Sequence, residues 1–151
     1  MIESYQETVD ELKRTLTPEQ QKMLSLRSVQ NFLYSFDKLS TYKREVHELL
    51  FQYFDDIKEH GYILDRKQSN RVAFDYIMKI GSRYTHELGF RMQQNYLYTF
   101  GIGLHADLLL LLIGILKKVY YLPIVTIIMY TRFLYIRYRY EKRNMVFNIR
   151  Y

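Results

Sequence analysis

The chain has 151 residues, enough for one domain and an appendage. Its 48% hydrophobic and 17% aromatic content excludes a disordered or low-complexity chain, and the absence of cysteine excludes disulfides, thiolate metal sites and thiol nucleophiles. The net charge of +6 is unevenly placed: residues 1–94 hold 14 Lys and Arg against 14 Asp and Glu, whereas residues 95–151 hold 8 against 2, which argues against a nucleic-acid-binding folded unit.

The first segment, Ile2 to Leu16, carries Tyr5, Val9, Leu12 and Leu16 at spacings of four, three and four, the narrow apolar seam of a helix. Thr17-Pro18-Glu19-Gln20 then reads as a helix start, with Thr17 as cap, Pro18 in the first turn and Gln20 completing a capping box. The apolar face that follows, Leu26, Val29, Phe32, Leu33, Phe36 and Leu39, predicts one helix that relaxes near Ser40-Thr41. Residues 42–60 repeat the pattern through Val46, Leu49, Leu50, Tyr53, Phe54 and Ile57, with Gly61 as a left-handed stop. Asp65 and Gln68 frame a second capping box, opening a helix with Val72, Tyr76, Ile77 and Ile80 inward and Gly81 at its end. From Arg83 the helical pattern runs through Gly89 toward the next apolar stretch. Such amphipathic segments predict an all-α bundle of about four helices over residues 1–94.

Residues 95–138 read as a two-helix transmembrane hairpin. The first half, 96–116, has 21 residues, or roughly 31 Å of helix, and the second, 119–136, has 18, or roughly 27 Å, with a turn at Lys117-Lys118. A re-entrant hairpin fits the short second half and Pro123 as well as a full crossing does. Tyr120 and Tyr121 at the turn, with Arg137, Tyr138, Arg139, Tyr140, Lys142 and Arg143 at the exit, have the composition of membrane-interface anchors, and residues 139–151 form a basic, aromatic tail. The positive-inside rule places both termini in the cytoplasm, and the bilayer is the first expected partner.

Three ionisable residues interrupt the apolar stretch: His105, Asp107 and Arg132. Counted outward from a turn at 119–120, Asp107 comes level with residues 131–132, which predicts either an ion pair with Arg132 that locks the hairpin or a polar path through it. Gly103, Ala106, Leu110 and Gly114 share a face with Asp107, a small-residue surface suited to helix packing.

No enzyme constellation is present in the sequence. Gly101-Ile102-Gly103 lacks the third glycine and the preceding strand of a phosphate loop, His105-x-Asp107 is too short a spacing for a metal site, and His47, His60 and His86 stand singly among charged neighbours. The expectation is an integral membrane protein without cofactor, metal, catalysis or nucleic-acid partner, self-assembled into a pore or membrane-perturbing effector with a regulatory bundle. The alternative is an accessory or scaffold subunit docked on other membrane chains. A third reading keeps the hairpin as the core of a wholly soluble helical protein.

Overall fold

The computed structural model describes residues 2–92, 96–112 and 123–148. The chain divides into two units, residues 1–93 with 144–151 and residues 94–143. Both are helical.

The first unit is built from α1 (Ile2–Thr15), α2 (Pro18–Met23), α3 (Leu26–Tyr34), α4 (Lys43–Glu59), α5 (Arg66–Val72) and α6 (Met78–Leu88), with a π-helical segment, Ala73–Ile77, joining the last two. It buries the residues that periodicity selects: Val9 and Leu12 from α1, Val29, Phe32 and Leu33 from α3, and Val46, Leu50, Tyr53 and Ile57 from α4. Val72, Ile77, Ile80 and Tyr84 complete that core. Asp65 and Gln68 form both halves of the capping box, at 2.8 and 2.9 Å. At Thr17 only one half forms, because Thr17 Oγ1 accepts the Gln20 amide while Gln20 Oε1 accepts the amide of Leu64.

The single helix expected over Pro18 to Leu39 is three pieces. Ser25 adopts a left-handed φ of 55° between α2 and α3, and a short 3-10 turn, Phe36–Lys38, follows α3. Side chains from elsewhere take over the carbonyls at this break: the Tyr53 hydroxyl donates to Leu24 O at 2.6 Å and Ser69 Oγ donates to Met23 O at 2.6 Å. Tertiary hydrogen bonds therefore stabilise a break that no Gly or Pro at position 25 announces.

Two glycine expectations are corrected. Gly81 lies inside α6 rather than ending a helix, and glycine leaves room there for the Phe147 ring, which a Cβ would meet at 2.5 Å. The stop is Gly89, with φ of 74°, and the chain then leaves the helical path instead of running on into the next segment. It forms β1 (Arg91–Met92), which pairs in parallel with β2 (Val146–Phe147), Arg91 opposite Val146 and Met92 opposite Phe147. Thus the segment expected as a basic tail divides: Val146 and Phe147 are buried in the first unit, where Phe147 meets Phe32 with ring centroids 5.7 Å apart.

The second unit contains α7 (Tyr96–Leu112) and α8 (Ile124–Glu141), packed against each other. Among the described residues no helix is long and apolar enough to cross a membrane, and this corrects the expected transmembrane hairpin with both termini in the cytoplasm. The physical reason lies in the helix boundaries. α8 starts after Pro123 rather than at Val119 and runs to Glu141, so it takes in Arg132, Arg137, Arg139 and Glu141. Those charges weigh heavily against a span at apolar depth. The expected turn at Lys117-Lys118 lies outside the described residues.

Candidate functional site

The second unit turns on one carboxylate. Pro123 precedes α8 and brings no side-chain acceptor to the helix's first turn, so the early amides of α8 need partners from elsewhere. Asp107 of α7 supplies them: Oδ1 accepts the Val125 amide at 2.9 Å, and Oδ2 accepts the Thr126 amide at 2.7 Å and the Thr126 hydroxyl at 2.5 Å. The side chain is nearly fully buried, at 5% exposure. Burial pushes its pKa up and is the largest single influence, but the hydroxyl and the two amides together outweigh it and hold the group below the ordinary carboxylate value. An ionised Asp107 also complements the positive end of α8.

One turn before Asp107, Gly103 lets the helices close. A Cβ at Gly103 would lie 2.9 Å from Thr126 Cα, so glycine is what permits the backbone approach that brings Asp107 to the α8 amides. Ala106 and Leu110 are half-buried on α7, and Gly114 lies outside the described residues.

Arg132, the expected ion-pair partner, is exposed on α8. It is six positions beyond Thr126, about 9 Å along the helix. The expected register assumed a helix starting at Val119; the start at Ile124 sets Asp107 beside the first turn instead. His105 is also exposed, and its Nδ1 donates to Gly101 O at 2.8 Å. At the C-terminal end of α8, Arg137 Nε meets Glu141 at 3.1 Å, while Tyr138, Arg139, Lys142 and Arg143 are exposed and Tyr140 is half-buried. Tyr120 and Tyr121 lie outside the described residues.

Around this latch the hairpin keeps an apolar exterior. Leu109 and Leu112 of α7 are 63% and 74% exposed, and Ile128 and Tyr135 of α8 are 61% and 62% exposed. The spacing makes stripes: Leu104, Leu108 and Leu112 follow one face of α7, and Ile127, Leu134 and Tyr138 follow one face of α8, all exposed. Thr126, Met129, Phe133 and Tyr140 lie on the less exposed side of α8. Exposed apolar stripes of this kind are a usual mark of an interaction face.

The first unit holds a second polar cluster, which sequence reading missed. Asp56 on α4 accepts from Arg71 Nη2 at 2.7 Å, stands 3.4 Å from His60 Nδ1, and is hydrogen-bonded to Tyr76 on the π-helical segment. Burial first, and then the Asp56 charge, raise the Tyr76 pKa. These contacts tie α4 to the α5–α6 segment, and the π-helical turn carries Tyr76 at the tie. The residues are 56, 60, 71 and 76, and only the pair at i, i+4 was visible without the fold. Among the described residues no three His, Asp or Glu side chains converge as a metal site. Compared with protein-family models, with curated proteins and with solved structures, the chain shows no match.

Proposed function

We propose that this chain is a self-assembling interaction protein whose 94–143 hairpin docks on the hairpin of a second copy, completing a four-helix arrangement. The observation that carries the reading is the apolar exterior of α7 and α8, which remains exposed after the two helices have packed on each other. Two helices cover only one side of each other; a second pair covers another and buries two stripes at once. Self-assembly does not depend on crossing a bilayer, so this part of the sequence reading stands apart from the corrected membrane placement.

Charge favours a second copy in an antiparallel, two-fold arrangement. The cations Arg137, Arg139, Lys142 and Arg143 lie at the C-terminal end of α8 and its exit, Arg132 lies at the middle, and Ile127 and Ile128 lie toward the start. Ile128 and Lys142 are 14 residues apart, about 21 Å along the helix, well beyond the screening length of about 8 Å at physiological salt. Opposed α8 helices thus keep the C-terminal cations of the two copies apart.

Sedimentation velocity of the full chain tests this. The native chain is expected at twice its mass of 18.5 kDa, and Leu109→Glu with Ile128→Glu is expected to sediment as a monomer with unchanged helical circular dichroism. A native chain that remains monomeric at tens of micromolar, or that stays monomeric in buffer and associates with lipid vesicles, overturns the reading.

A further inference from the structure

Residues 145–148 sit in a groove of the bundle as a bound peptide would. Asn31 Nδ2 donates to Val146 O at 2.7 Å, the Arg91 amide donates to Met145 O at 3.0 Å, and the Asn148 amide donates to Ser28 Oγ at 2.8 Å. The Ser28 hydroxyl returns a bond to Asn148 O at 3.2 Å. Asn31 and Ser28 are themselves buried, so their bonds to the segment are costly to leave unmade.

Main-chain bonds of this kind supply affinity, and a side-chain pocket supplies specificity. Here the pocket holds Phe147: its ring centroid lies 5.7 Å from that of Phe32, and the glycine at position 81 leaves the space it fills. Adding a short strand beside β1, with one aromatic anchor, is the strand-addition mode of peptide recognition.

The segment is distant from its groove in sequence, because all of residues 94–143 lie between β1 and β2. Only residues 142–145 join α8 to β2, and among them Asn144 takes a left-handed φ of 53°. That conformation disfavours every residue with a side chain, asparagine less than most. A short hinge that holds such a turn favours exchange of the element beyond it: opening the turn relieves the strain, and the identical groove of a second copy offers the same contacts.

We propose that copies paired through their hairpins exchange residues 145–148, so that each bundle's groove takes the Val146-Phe147 strand of the other copy. The exchange rests on the hairpin reading, which supplies the proximity: once two copies are joined, the second encounter is intramolecular. Both grooves stay filled, so no contact is lost.

Isotope-filtered nuclear Overhauser spectroscopy of the native full chain tests this, with labelled and unlabelled copies mixed in urea and refolded together above the association midpoint. Cross-peaks are expected between the Phe147 ring of one copy and the Gly81 α-protons and Phe32 ring of the other. In the Leu109→Glu, Ile128→Glu chain these intermolecular peaks are expected to be lost, while the same contacts appear within one chain. Sedimentation of the same native sample keeps the two readings apart. A dimer whose Phe147 contacts are all intramolecular overturns the exchange and leaves hairpin pairing standing, whereas a monomer overturns both.

Discussion

The two units use apolar surface in opposite ways. In the bundle, large side chains are spent inward: Phe32, Tyr84, Phe90 and Phe147 form an aromatic cluster with centroids 4.8 to 5.9 Å from Phe32, and the hydroxyl of Tyr84 donates to Phe32 O at 2.6 Å. In the hairpin, one latch of Asp107, Val125 and Thr126 sets the helix register and leaves leucines and isoleucines outside. The lesson is that a polar latch can fix a geometry without burying much surface. The bundle has its own core, whereas the hairpin leaves much of its apolar surface exposed.

The largest break in this contrast is expected from Phe32→Ala. Removing a fully buried ring from the aromatic cluster is expected to cost about 3–5 kcal/mol in urea unfolding, a large part of a small domain's stability. Next comes Gly81→Ala, whose Cβ meets the Phe147 ring. An overpacked site of this kind is expected to cost about 1–3 kcal/mol. Pairing Gly81→Ala with Phe147→Leu is expected to recover part of the loss in the same unfolding measurement.

A smaller effect is expected from Tyr84→Phe, which keeps the ring and removes the hydrogen bond to Phe32 O, for about 1 kcal/mol. Burial pushes the Tyr84 hydroxyl far above its usual pKa, so it remains a donor throughout the neutral and mildly alkaline range.

The smallest effect is one of pH. Glu87 on α6 accepts from the Ser40 hydroxyl and the amides of Ser40, Thr41 and Tyr42, which brings its pKa from 4.5 to about 2, the Ser40 hydroxyl contributing most. Its folded value is the lower one, so its contribution is complete above pH 4.5 and is lost as pH falls toward 2. Glu87→Gln is expected to flatten the part of the acid unfolding profile between those values. An unchanged profile would contradict this account of the Ser40–Tyr42 turn.

The sequence made the bundle legible because burial and helical period agree: Val46, Leu50, Tyr53 and Ile57 can be selected from spacing alone and are all buried. The break at Ser25 was not legible, because the groups that stabilise it, Tyr53 and Ser69, come from 28 and 44 positions away. Nor did local pattern foretell that Val146 and Phe147 return to the bundle, since a two-residue strand has no periodicity and Gly81 resembles a helix end as much as a ring contact. In the hairpin, Asp107 and Gly103 were recognisable as packing residues, but their level on α8 depended on where that helix starts. Pro123 followed by Thr126 was the available signal: a helix start with a hydroxyl in its first turn.

The most direct test of the contrast is hydrogen exchange of the full chain at two concentrations on either side of its association midpoint. The account predicts that amides of α3, α4 and α6 are equally protected at both, while those of α7 and α8 gain protection as the copies meet. Hairpin amides as protected in the dilute monomer as in the concentrated sample would contradict the claim that a second copy completes this unit.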